Sequence, residues 1–315
     1  MKGLELSRSY YEEFGKPVLE EQFADLLSLV AIGCVGSGSD RFGFDDEISA
    51  DHDFEPGFCI FIPGESVIDR RQEFLLERAY AKLPKEYMGR KRQPLSPVGG
   101  NRFGVIRTAD FYRKAVGSPD GCLSAEQWLY LPDYALAEAV NGEIFYDEYG
   151  EFSEIRSRIS HMPADIKLKR LAGNLLIMGQ SGQYNYSRCL SHGEPEAARL
   201  ACNEFVLSAM KVVFLLREKY MPYYKWSFRA LRQLSGTDEL SDWLSQLLFG
   251  DDRADETAER KKQMIEEISS RIIEELRNSG LTESPGTDLE RHAYSVNDKI
   301  SDCNIRNLNI LAAVN

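Results

Sequence analysis

Residues 35–54 read VGSGSDRFGFDDEISADHDF, and two groups of residue types in this stretch could do chemistry together. Gly36-Ser37-Gly38-Ser39 offers backbone N–H groups and hydroxyls, with no side-chain bulk at the glycines to keep an anion away. Farther on, Asp51 and Asp53 stand at i and i+2. On a strand, that spacing puts both carboxylates on one face and His52 on the other. Two adjacent carboxylates repel, and holding both ionised on a half-buried strand is costly unless a cation neutralises them. Mg²⁺ suits such hard oxygen ligands, and it commonly takes one or two carboxylates together with substrate phosphates. One half would then grip a triphosphate while the other holds the metal. Taken singly, each half also reads as a tight turn or a solvated acidic loop. The combination of strand, Gly-Ser, spacer, Asp-x-Asp and apolar strand is the specific feature.

Competing site types fail on residue content. A P-loop needs Gly-Lys-Ser/Thr, and no lysine follows these glycines. A dinucleotide fingerprint needs G-x-G-x-x-G, and the next glycine, Gly43, falls too late. A His-Asp metal site is starved of histidine, since only His161, His192 and His292 accompany His52.

The surrounding pattern predicts the elements that must position these residues. Residues 17–30 have helical spacing, and Ala31–Val35 reads as a buried strand that runs into the Gly-Ser turn. Asp51–Ile62 alternates and then turns apolar, predicting a second strand ended by Pro63-Gly64. A helix is predicted over 69–83, a loop over 84–101, a strand over 103–108, helices within 124–140 and a strand over 143–146. Beyond about residue 155 the pattern is helical almost throughout. Met264, Ile268, Ile272 and Leu276 form a one-sided apolar stripe suited to core packing. The expectation is an α+β protein, with a small mixed α/β domain over 1–155 and an all-α helical domain over 156–315.

The quoted residues resemble the signature of the DNA-polymerase-β-type nucleotidyltransferase superfamily. The match is closest to an uncharacterised bacterial family of two-domain nucleotidyltransferase-like proteins, the DUF4037 type. Its pattern is seen here as Gly36–Ser39, Gly43-Phe-Asp45 and Ser49-x-Asp-His-Asp53, followed by Trp128-Leu-x-Leu-Pro132, Gly142–Asp147 and Tyr220–Trp226. The resemblance implies transfer of NMP, with AMP as the default, from an NTP to a hydroxyl of a small molecule or protein. Asp51 and Asp53 would hold Mg²⁺, with room for a second metal, and Gly36 and Ser37 would cradle the β- and γ-phosphates. Active relatives carry a third carboxylate on a later strand. The corresponding place here is Gly104-Val105-Ile106, with Asp110, Glu143 and Asp147 as alternative acids. Isoleucine at that place supports a second expectation, a nucleotide-binding regulator or antitoxin-like pseudoenzyme that has lost its base.

Other polar residues could extend a nucleotide site. Arg41 follows the glycines and could reach a phosphate, Gln183, Tyr184, Ser187 and Arg188 have i/i+4-type spacings so that several could line one helix face, and Lys225 sits among the aromatics of Pro222-Tyr-Tyr-Lys-Trp226. Each has an ordinary surface reading as well.

Composition bounds the partners. The 315 residues carry a formal net charge of −12, which argues against nucleic acid as the main partner. The longest apolar run, 26–35, is far short of the ~20 residues of a membrane span, and the N-terminus lacks a signal-peptide core. Six scattered cysteines, none in a Cys-x-x-Cys pair, predict reduced and mostly buried thiols. A cytoplasmic protein with NTP as its ligand is expected.

Overall fold

The computed structural model describes residues 1–47, 55–92 and 102–314. In chain order it begins with α1 (Gly3–Tyr10), α2 (Lys16–Gln22), α3 (Ala24–Leu27), β1 (Ala31–Cys34), β2 (Cys59–Ile62) and α4 (Arg70–Lys82). A ribbon of β3 (Glu86–Tyr87) and β4 (Arg90–Lys91) comes next, then β5 (Gly104–Arg107), α5 (Thr108–Val116) and α6 (Ala125–Tyr130). The chain continues through α7 (Asp133–Val140), β6 (Glu143–Asp147) and α8 (Glu151–Ser160). All later elements are helical: α9 (Ala164–Met178), α10 (Ser187–Ser191), α11 (Pro195–Leu216), α12 (Tyr224–Leu231), α13 (Asp238–Leu247), α14 (Asp255–Asn278), α15 (Leu289–Asp298) and α16 (Cys303–Arg306). The fold class is α+β, as the sequence pattern predicts. Two compact units form: Met1–Leu123 with Ala135–His161, and Ser124–Tyr134 with Met162–Asn315.

The first unit is built on a four-stranded mixed sheet of order β5-β2-β1-β6. β1 pairs antiparallel with β2 and with β6, while β2 and β5 run parallel. Every residue of β1 and β2 is buried, because helices cover both faces of these central strands. On one face Phe61 meets Phe111 of α5 and Phe152 of α8, at ring separations of 5.3 and 4.3 Å. On the other, Ile60 lies with Leu19 of α2 and with Leu76 and Tyr80 of α4. This two-sided cover is why the strands read as apolar runs with no alternation.

Local signals explain several boundaries. The Asp69 side chain accepts from the Gln72 N–H at 2.8 Å and Gln72 answers the Asp69 N–H at 2.9 Å, a reciprocal cap that starts α4. Three predicted boundaries differ. The helix expected over 17–30 breaks at Phe23, whose φ of −137° leaves the helical region between α2 and α3. The strand expected from Asp51 begins, among the described residues, only at Cys59. Pro56 and Gly57 precede it, and Gly57 packs so closely on Phe103 that an added Cβ would lie 2.7 Å from its ring. Within the expected loop 84–101, the β3–β4 ribbon forms with Glu86 opposite Lys91.

In the second unit α9 is buried on nearly every side. Its Lys169 ammonium is held by the Asn297 side chain at 2.9 Å and by the carbonyls of Leu308 and Arg306 at 2.7 and 3.2 Å, so the C-terminal residues are fastened to the central helix. The predicted stripe of α14 is core: Met264, Ile268, Ile272 and Leu276 are all buried. Cys34, Cys59 and Cys202 are buried free thiols, whereas Cys122 and Cys303 are exposed. Among the described residues no helix is long and apolar enough to cross a membrane.

Candidate functional site

The strand registers gather several chain ends at one end of the sheet. Gly33 pairs with Cys59, Cys59 with Gly104, and Cys34 with Glu143. The end of β1 therefore lies beside the starts of β2, β5 and β6. The Gly-Ser turn leaves β1 at this end, and the segment containing Asp51 and Asp53 precedes β2 in the chain. Asp51, His52 and Asp53 themselves lie outside the described residues.

The turn has the backbone that its glycines predict. Gly36 and Gly38 have φ values of +101° and +132°, which side chains rarely tolerate. Ser37 is exposed between these two buried glycines, while Ser39 is buried. Asn141 fixes the turn from the β6 side. Its side-chain carbonyl accepts the Gly36 N–H at 2.8 Å, and its amide donates to the Gly36 carbonyl at 2.7 Å. The Gly36 N–H is thus already engaged, and Ser37 is the residue of the turn that faces outward. Asn141 immediately precedes the Gly142–Asp147 motif, but its partner is 105 residues away, so nothing local marks its task.

Arg41 is not the surface residue that its acidic neighbours suggest; it is 2% exposed. It is ion-paired with Asp40 and lies over the Phe103 ring at 4.5 Å. Asp40 also accepts from Arg102 at 3.1 Å, so this acid, which reads as spacer in the sequence, joins two arginines. A Cβ on Gly38 would lie 2.4 Å from the Asp40 carboxylate and 2.6 Å from Arg102, which ties the turn to the buried cluster. Cys34 and Cys59 flank the arginine, and burial pushes both thiols up, Cys59 to about 12. They stay protonated and inert near neutrality. Asp45 gains an account as well: buried, it accepts the Gly3 N–H at 2.9 Å and anchors the first turn of α1.

The expected third-carboxylate place holds Ile106, paired with Phe61 in the sheet. Of the alternatives, Glu143 lies at the right end of the sheet but is ion-paired with Arg8. Asp110 is exposed on α5 beside Arg113. Asp147 caps α8, accepting from Gly150 and Ser153 at 2.8 Å each. No group of three His, Cys, Asp or Glu side chains converges among the described residues.

In the second unit, Gln183 and Tyr184 lie in a π-helix over Gly179–Tyr186 and Ser187 and Arg188 in α10, so no single regular helix carries the four. Gln183 is bound to Glu266 and to the Thr287 carbonyl, both at 2.9 Å, and it accepts the Leu289 N–H at 3.0 Å. It also lines a cavity of about 650 Å³ with Glu266, Asp288 and Glu290, whose charges oppose a triphosphate. Arg188 is exposed and lies 5.5 Å from the Tyr184 ring. Lys225 is exposed with its ammonium 4.4 Å from the Trp226 ring. Tyr223 is 41% exposed and meets Tyr134 edge-on at 5.8 Å.

A family model matches part of the chain. Residues 128–227 fit the family model described as a domain of unknown function, DUF4037. No curated protein matches the chain. The matched residues include the Trp128, Gly142 and Tyr220 motifs and exclude the Gly-Ser and Asp-His-Asp motif.

Proposed function

We propose that the chain is a Mg²⁺-dependent nucleotidyltransferase that moves NMP, with AMP as the default, from an NTP to a hydroxyl of a small molecule or protein. The observation that carries this reading is the placement of exposed Ser37, between two positive-φ glycines, at the sheet end where β2 begins. Asp51 and Asp53 come eight and six positions before Cys59 in the chain, and their paired carboxylates have the hard oxygen donors that Mg²⁺ prefers. Bound there, the ion would neutralise charge developing on the transferring phosphate. Ser37 would offer its hydroxyl to the β- or γ-phosphate, and Asn141 holds the turn in the shape that presents it. The acceptor oxygen would form a new bond to the α-phosphorus while the bond to the β-phosphate oxygen breaks. Pyrophosphate then leaves with that electron pair, and the hydroxyl proton passes to water. Arg41 has no part in this scheme, because Asp40 and Phe103 hold it in the interior.

A second reading, a nucleotide-binding regulator without turnover, is favoured by Ile106 and by the engagement of Glu143 with Arg8. Measuring NTP binding and pyrophosphate release with Mg²⁺ separates the two, with Asp51→Asn/Asp53→Asn as control. Transfer predicts release that the double variant loses. Binding without release from any acceptor tried supports the regulator, and absence of NTP binding removes both.

A further inference from the structure

The end of α7 meets the start of the Gly-Ser turn. Gly142 lies so close to β1 that an added Cβ would be 2.1 Å from the Cys34 carbonyl oxygen and 2.8 Å from the Val35 Cα. Asn141, beside it, exchanges two hydrogen bonds with Gly36. Arg156 donates to the carbonyls of Val140, Asn141 and Gly142 at 2.6, 2.9 and 3.0 Å, which fixes this end of the helix. A side chain on the last turn of α7 is therefore held beside the Gly-Ser turn.

Glu138 stands there. It comes three positions before Asn141, a spacing that along a helix puts two side chains on one side, about 5–6 Å apart at their Cβ atoms. Glu138 is only partly exposed, and Leu136, Ala137 and Ala139 around it are buried. The acids near the expected third-carboxylate place are engaged: Glu143 by Arg8, Asp110 by Arg113, and Asp147 by the backbone of Gly150 and Ser153. Glu138 has neither hydrogen bond nor ion pair among the described residues, and burial alone raises its pKa. An unpaired carboxylate partly out of water takes up a proton more readily, which is what a base working near neutrality needs. Packing at this position does not require a carboxylate, and burying one is costly.

We propose that Glu138 is the general base of the transfer and takes the proton of the acceptor hydroxyl. This assignment rests on the nucleotidyl-transfer reading. As the acceptor oxygen bonds to the α-phosphorus, its O–H bond breaks and the proton passes to the Glu138 carboxylate instead of directly to water. The bond to the β-phosphate oxygen breaks with its electron pair, and Glu138 returns the proton to water after pyrophosphate has left. A helix thus supplies the base that the strand, with Ile106 at the expected place, does not.

The full chain labelled with ¹³C-glutamate tests the placement. The Glu138 carboxyl signal, assigned by its absence from Glu138→Gln or Glu138→Asp, is expected to shift when the Mg²⁺ complex of α,β-methylene ATP binds. Binding that leaves this signal unmoved overturns the proposal and spares the nucleotidyl-transfer reading, whereas no binding of the analogue removes both. Pyrophosphate release from ATP, with glycerol as the hydroxyl probe, tests the role. Glu138→Gln is expected to keep its KM for ATP within about twofold and to lower kcat at least about a hundredfold. A kcat within about threefold of the unaltered chain overturns the proposal. The carboxyl signal decides the matter where glycerol is not accepted.

Discussion

Asn141 and Gly36 exchange two hydrogen bonds, at 2.8 and 2.7 Å, so a side chain supplies to this turn what a neighbouring strand would supply to a sheet. Asn141→Ala leaves the Gly36 N–H and carbonyl without these partners in a part-buried place. A loss of about 1–3 kcal/mol in unfolding free energy is expected, measured by urea denaturation. Asn141→Asp keeps the acceptor and removes the donor, so it should fall between alanine and wild type. Equal stability of all three proteins would mean that the turn holds its shape unaided.

Ser37 is exposed, and its removal should not disturb the fold. Ser37→Ala is expected to change stability by less than about 0.5 kcal/mol. On the nucleotidyl-transfer reading it weakens Mg²⁺-dependent NTP binding several-fold, as seen in a titration with ATP. An unchanged ATP affinity would remove Ser37 from the phosphate grip while leaving the role of Asp51 and Asp53 open to their own substitution.

Asp40 holds Arg41 and Arg102 together, and the side chains of Asp40 and Arg41 are both almost wholly buried. Removing one partner of such a pair strands a charge in the interior. Asp40→Ala should therefore cost about 3–5 kcal/mol, measured by the shift in denaturation midpoint. Asp40→Asn retains hydrogen-bonding capacity and should cost less. A neutral result for Asp40→Ala would show that the arginines find water instead.

What the sequence disclosed, and what it hid, follows from the range of each interaction. β1 and β2 were legible because helices cover both faces and make each strand a continuous apolar run. The stripe from Met264 to Leu276 was legible because its repeat is local. Arg41 misled, since an arginine among acids reads as surface until Phe103 and Arg102 arrive from some sixty residues away. Asp45 carried a recognisable pattern whose partner, Gly3, is 42 residues distant. Gln183, Tyr184, Ser187 and Arg188 were grouped by i/i+4 counting along one regular helix, and the π-helix over Gly179–Tyr186 breaks that count within the group.

His292 supplies a test by pH in the second unit. It is buried, its Nε2–H donates to the Gly286 carbonyl at 3.2 Å, and its Nδ1 accepts from the Thr282 hydroxyl at 2.9 Å. The carbonyl can only accept, which assigns the neutral ring its tautomer. Burial lowers the pKa of His292 below its ordinary value, outweighing the Gly286 hydrogen bond that favours the charged form. The unfolded chain then binds this proton more readily than the folded one. The stabilisation is fully present above the unfolded pKa, about 6.5, and is lost as pH falls through the lower, folded value. Unfolding free energy measured between about pH 7.5 and pH 5 should decline on the acid side in the wild type. In His292→Gln the decline should be shallower, although the variant starts from a lower stability because glutamine cannot reproduce both bonds. Parallel profiles for the two proteins would place the acid sensitivity in another group.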